Sequence, residues 1–347
     1  MKGIQIGNKT SKYPIIQGGM GVGVSLHRLA GTVAKEGGIG IISTADIGFN
    51  EPDFETSPNE ANIRALKKEL VMAREISPDG IIGVNIMCAC NQYDEIVAES
   101  VKNDIDLIIS GAGLPLKLPA LVKGTNTKIA PIVSSARAFS LICRQWKRKY
   151  NYIPDLVVVE GPKAGGHLGF SCSDLQDHEP GLEDIVREII ELAMDIEQET
   201  DKRIQVVAAG GIYTKTDVER YLHIGAAGVQ LASRFVATEE CDAAESFKTA
   251  YINCSSEDIT IIHSPVGMPG RAIRNAFVNK VENCKEKIVH CSQCLRACNP
   301  VKAPYCITKA LINAVKGDVD NGLVFCGSNA SKIKEIITVR KLISELF

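Results

Sequence analysis

The chain predicts an α/β architecture: a (β/α)8 TIM barrel with a helical C-terminal extension. Three observations carry that expectation. Short apolar, β-branched runs recur eight times in the first two thirds of the chain, amphipathic segments separate most of them, and glycine or small polar residues follow the runs directly. Runs that are apolar throughout suit parallel strands covered on both faces. Eight strand–helix repeats are the pattern of a closed barrel, whereas an open doubly wound sheet usually has fewer strands.

The strands are expected at Pro14–Gln17, Ile39–Ser43, Ile81–Asn85, Leu107–Ser110, Ile129–Val133, Leu156–Glu160, Ile204–Ala208 and Gly228–Leu231. Leu26–Glu36, Asn59–Ile76, Tyr93–Lys102 and Leu182–Glu199 carry helical periodicity. Gly18-Gly19-Met20-Gly21, Ser43-Thr44, Asn85, Ser110–Gly113, Ser134-Ser135, Gly161–Gly169, Gly210-Gly211 and Ala232-Ser233 follow the strands. All would meet at the C-terminal mouth, where barrels place their chemistry. Phe49–Asn62 reads as a long loop, and Phe170–Gly181 as a lid that could bring His178 to a substrate. The repeat ends near residue 238. Residues 1–238 form the expected barrel, and residues 239–347 a helical subdomain packed on it.

Composition narrows the function. The 347 residues are 45% apolar and 23% charged, with a formal net charge of −2. No global field favours nucleic acid or a membrane surface. No apolar run has the length of a spanning helix, and the N-terminus lacks a signal-peptide core, so the expected compartment is cytoplasmic. The basic run Arg144–Lys149 with Trp146 reads as the solvated face of a helix, with docking to an acidic carrier as the alternative. Twelve cysteines without an export signal imply free thiols or metal ligands. Cys284, Cys291, Cys294, Cys298 and Cys306 crowd the tail. They are read either as reduced cysteines of a helical hairpin or as ligands of zinc or an iron–sulfur cluster. Cys88 and Cys90 read as apolar lining near the mouth, with a redox pair as the alternative.

The chemistry points to Glu160–Gly169. An apolar strand runs into a glycine-rich loop that holds His167, the residue type suited to proton transfer near neutral pH. Placed in such a loop, His167 is expected to be accessible. His27 and His223 sit in helical patterns and read as surface or packing residues. Gly210, Gly211 and Ser233 follow the last two strands, whose loops often bind phosphate in barrels. Gln230 can hydrogen-bond a ring or ribityl oxygen. There is no Gly-x-Gly-x-x-Gly βαβ fingerprint, no Walker loop and no His-Glu-x-x-His helix.

Pro14–Gly21, Gly83-Val84-Asn85, Ala164–His167, Ala209–Ile212 and Gln230–Phe235 together resemble the motifs of the nitronate monooxygenase family, in the family's order. The flavin-dependent enoyl-acyl-carrier-protein reductases share them. The resemblance implies FMN at the barrel mouth. Gly19 and Met20 would lie against the isoalloxazine, and Asn85 would hydrogen-bond it. Glu160, where glutamine is common, would approach the ring with Gly165. Gly211, Gln230, Leu231, Ala232 and Ser233 would hold the ribityl phosphate, and His167 would be the family's acid or base. Lys163 departs from the family glutamate; pointing inward it would favour a reduced, anionic flavin, and otherwise it faces solvent. The implied function is oxidation of alkyl nitronates to carbonyl compounds and nitrite. The alternatives are an NAD(P)H-dependent enoyl thioester reductase and a flavin electron-transfer protein. A small-molecule substrate and a homodimer are expected.

Overall fold

The computed structural model describes residues 1–176 and 181–347. Eight parallel strands close into a barrel. They are β1 (Ile15–Gln17), β2 (Ile39–Ser43), β3 (Ile81–Met87), β4 (Leu107–Gly111), β5 (Lys128–Val133), β6 (Leu156–Glu160), β7 (Gln205–Ala209) and β8 (Gly228–Leu231). The crossovers hold α1 (His27–Lys35), α2 (Pro58–Ile76), α3 (Tyr93–Lys102), α4 (Leu118–Leu121), α5 (Ala136–Tyr150), α6 (Leu182–Thr200) and α7 (Lys215–His223); α8 (Ser233–Val236) follows β8. Closure comes from β8 pairing β1, with Gln230 opposite Ile16 and Leu231 opposite Gln17.

Both faces of the strands are buried, which explains their unbroken apolar sequences. Ile16, Ile41, Leu107, Ile109, Leu156, Val158 and Val207 fill the barrel interior, and Ile4 and Ile6 join them. Alternate residues such as Val157 and Val159 face the helices instead. Pairing between β1 and β2 is a single register position, Ile16 opposite Ile39. The buried Gln17 amide compensates. It donates to the Ile41 carbonyl at 3.1 Å and accepts from the Ile41 amide at 3.0 Å.

The loop expected at Phe49–Asn62 ends earlier, because α2 begins at Pro58, whose fixed φ suits a first helical position. In α5 the Trp146 ring is fully buried and its indole N–H donates to the Pro115 carbonyl at 3.1 Å, while Arg144, Lys147, Arg148 and Lys149 face outward. That is the solvated-face arrangement.

Beyond residue 238 lie α9 (Glu245–Asn253), α10 (Ala276–Asn283), α11 (Ile307–Val315) and α12 (Val339–Leu346). An antiparallel hairpin of β9 (Ile259–His263) and β10 (Pro269–Ile273) interrupts them, an element the purely helical expectation lacked. β10 also pairs with a two-residue strand, Gly166–His167. The cysteine segment 284–306 is not a helical hairpin. It is an irregular loop between α10 and α11, where Gln293 at φ 53°, Pro300 and Pro304 break any helix. Among the described residues no helix is long and apolar enough to cross a membrane. The expected lid falls partly on residues 177–180, including His178, which lie outside the described residues.

Candidate active site

The strand ends and the C-terminal segment enclose a cavity of about 250 Å3 at the barrel mouth. Its walls bring together every residue singled out from the sequence: Gly19, Met20, Asn85, Glu160, Gly165, His167, Gly211, Gln230, Leu231, Ala232 and Ser233. They come from β1, β3, β6, β7, β8 and the loops that follow.

Close approach explains the glycines of the first and sixth loops. A Cβ on Gly19 would stand 2.3 Å from that of Asn85, and one on Gly165 would stand 2.6 Å from the Cys326 backbone. Both glycines therefore admit protein atoms of the wall, not only a ligand. After β7, Gly210 and Gly211 have φ of 95° and 82°, a region that favours glycine. After β8, Ser233 opens the four-residue α8, in which the Phe235 and Val236 amides donate to the Ala232 carbonyl at 2.8 and 3.3 Å.

The sixth loop is strapped down from the C-terminal side. Buried Arg271 donates to the carbonyls of Pro162 and Ala164, each at 2.6 Å. This clamp and the pairing with β10 fix the Gly166–His167 strand. His167 is thus half-buried, not freely accessible as expected for a loop. Its Nε2 lies 2.7 Å from Ser264 Oγ, and its ring meets Phe325 edge-on at 5.0 Å between centroids. Burial lowers its pKa to about 4, so the imidazole is neutral at pH 7. Burial alone has the opposite effect on the Glu160 carboxyl, pushing it up to about 7.

The wall that sequence reasoning missed is Phe325, Cys326, Gly327 and Asn329. The Gly327 amide donates to Ser233 Oγ at 2.9 Å, the Ser328 amide to the Lys163 carbonyl at 3.2 Å, and Asn329 Nδ2 to the Gly211 carbonyl at 2.7 Å. One short segment thereby ties the sixth, seventh and eighth loops together. Its only sequence signal is the Gly-Ser-Asn run at 327–329, which nothing local assigns to the mouth. Cys88 and Cys90 are not among the residues that line the cavity; the Cys88 thiol lies 3.3 Å from Ser110 Oγ, next to Met87, which does line it.

A glycine-rich barrel mouth with a neutral histidine and a buried acid has the character of a barrel enzyme's active site. The comparisons carry this further. The sequence model of the nitronate monooxygenase family matches residues 4–347, and the chain belongs to that family. A dehydrogenase of Rhodococcus jostii (strain RHA1), acting by its name on (3aS,4S,5R,7aS)-5-hydroxy-7a-methyl-1-oxo-octahydro-1H-indene-4-carboxyl-CoA, is 27% identical over 78% of this chain; the match spans 65% of that relative's length. A probable nitronate monooxygenase of Bacillus subtilis (strain 168) is 22% identical over 96% of this chain and 94% of its own. The solved structure of FabK from Thermotoga maritima is 26% identical, superposes with a TM-score of 0.74, and covers 97% of this chain and 92% of its own.

Proposed function

We propose that this chain is an FMN-dependent oxidoreductase of the nitronate monooxygenase type. It would take an alkyl nitronate and dioxygen to a carbonyl compound and nitrite, with residues 1–238 as the FMN barrel and residues 239–347 as a subdomain packed on it. The observation that carries this reading is the half-buried, neutral His167 in the same cavity as the phosphate-type loops.

The donors present fit a flavin phosphate. The turn at Gly210-Gly211 and the Ser233 and Arg234 amides at the start of α8 would supply backbone N–H groups. Ser233 Oγ already accepts from Gly327, so its own O–H is available to an anion. Asn85, Glu160, Gly19 and Met20 would flank the ring, with Gly165, Gln230, Leu231 and Ala232 completing the walls. When bound, FMN supplies two-electron acceptor chemistry and reactivity toward dioxygen.

Ser264 holds the His167 ring, and Phe325 limits its rotation. A neutral imidazole with a pKa near 4 is a weak base. It is better suited to donate a hydrogen bond to a nitronate oxygen than to deprotonate a neutral nitroalkane. Below about pH 7 Glu160 keeps its proton and would be a second donor within the cavity.

A second reading, reduction of an enoyl thioester by NAD(P)H, is favoured by the CoA-linked relative and by the likeness to FabK. Anaerobic mixing of the yellow protein with NADH, NADPH and, separately, ethyl nitronate separates the two. Flavin bleaching by nitronate, with indifference to both nucleotides, supports the monooxygenase. Fast bleaching by a nucleotide alone overturns it in favour of the reductase.

A further inference from the structure

The irregular loop between α10 and α11 carries Cys291-x2-Cys294-x3-Cys298-x7-Cys306. Four thiols fall within 16 residues, although the spacing differs from that of a bacterial ferredoxin. We propose that Cys291, Cys294, Cys298 and Cys306 hold a [4Fe–4S] cluster beside the barrel mouth.

The backbone supports each ligand. Gln293 reverses the chain at φ 53°, and its amide donates to Cys291 Sγ at 3.4 Å, a turn that leads on to Cys294. The turn is pinned to the end of β3: Asn91 donates to the Cys294 carbonyl at 3.1 Å, Arg296 donates to the Ala89 carbonyl at 2.9 Å, and Leu295 bridges Cys90. Cys306 caps α11, and the amides of Thr308 and Lys309 turn toward its thiol. The thiols lie within electrostatic reach of one another: Cys294 of Cys298 and Cys306, Cys298 of Cys291 and Cys306, and Cys306 of Cys291.

Two observations select the cluster over a single ion. Two thiolates on one tetrahedral zinc stand only about 3.8 Å apart, as the ~2.3 Å Zn–S bond requires. Among the described residues no group of three ligating side chains is placed to share one ion. In a cubane each thiolate binds its own iron, so the four surround the cluster without touching. Charge agrees as well. Residues 284–309 hold Lys285, Lys287, Arg296, Lys302 and Lys309 against one carboxylate, Glu286, and a thiolate-ligated cluster is anionic. Of the carboxyls facing the loop, Asp94 lies 3.9 Å from Arg296, and Asp46 is buried with its pKa raised and accepts from Thr308 at 2.6 Å.

Position gives the site its interest. Cys294 and Cys298 pack in one apolar cluster with Met87 and Phe325, and those two side chains also line the mouth cavity. The thiol loop and the candidate flavin site therefore border the same apolar cluster.

The test uses the full chain, purified anaerobically and reconstituted with ferrous iron and sulfide. We expect about four irons and four acid-labile sulfides per chain, with a paramagnetic signal after dithionite reduction. Cys298→Ala, and Cys291→Ala at an exposed position that leaves the core intact, should each lose more than half of that iron while keeping the circular dichroism of the parent. Cys284→Ala, at the end of α10 and outside the set, should keep it all. The proposal is overturned by a chain that takes up no iron and sulfide, by one zinc per chain, or by Cys284→Ala losing as much iron as Cys298→Ala.

Discussion

The two ends of the barrel treat charge in opposite ways. At the N-terminal end an open depression of about 1290 Å3 is lined by Asp106, Lys128, Asp155 and Gln205. Two of its carboxylates are paired: Asp106 lies 2.8 Å from Lys9 and 2.9 Å from Arg74, and Asp155 lies 3.1 Å from Lys202. At the C-terminal end the cavity is about a fifth of that volume, yet it holds the acid raised to about 7 and the histidine lowered to about 4. Size does not mark the chemistry. Paired charges at the base fasten strands and crossovers together, whereas the titratable groups at the mouth are desolvated, as acids and bases of active sites commonly are.

The largest effect should come from the mouth. His167→Ala is expected to lower turnover about 100- to 10,000-fold, the usual weight of a positioned proton-transfer or hydrogen-bonding group, while flavin content stays unchanged. If bound flavin disappears along with turnover, the assigned role fails. At the base the signature should be inverted. Asp106 accepts from the Ile82 amide at 3.0 Å as well as from its cationic partners. Asp106→Asn should cost about 1–3 kcal/mol in denaturant unfolding. Turnover per bound flavin should remain within about twofold, because no mouth group moves. A large loss of turnover at full flavin occupancy would erase the distinction between the ends.

Smaller effects sharpen the picture within the mouth. Gly211→Ala places a side chain at φ 82° and a Cβ 2.7 Å from that of Lys163. It should weaken flavin binding about tenfold by equilibrium dialysis, reflecting about 1–2 kcal/mol of left-handed strain. Unchanged affinity would mean that the seventh loop does not hold the phosphate. Glu160→Gln should act mainly on pH dependence. The wild-type carboxyl donates below about pH 7, so flavin reduction should slow as pH rises through that value, and the amide should abolish the limb. The sign for stability follows from the same shift. The folded state holds the proton more tightly than the unfolded chain, so the contribution is complete below 4.5 and lost as pH rises through about 7.

Sequence reading located all eight barrel strands to within two residues at each end, because each is a contiguous apolar run. The cavity residues on the strand ends were legible for the same reason, since they follow those runs directly. The start of α2 at Pro58 was blurred by a polar, proline-punctuated stretch whose proline opens the helix instead of breaking it. The strand at Gly166–His167 was invisible because two residues carry no periodicity. Its partner, β10, lies a hundred residues further along the chain.

The sequence by itself determined the barrel, its mouth and the cluster of thiols, because apolar periodicity, turn glycines and cysteine spacing are local properties. Only the tertiary structure decided the state of the chemistry. Burial against Phe325 and Ser264 makes His167 neutral, Arg271 clamps the loop that carries it, and Phe325–Asn329 closes the wall across the sixth, seventh and eighth loops. Desolvation and long-range hydrogen bonds depend on which distant residues meet, and no short stretch of sequence specifies that.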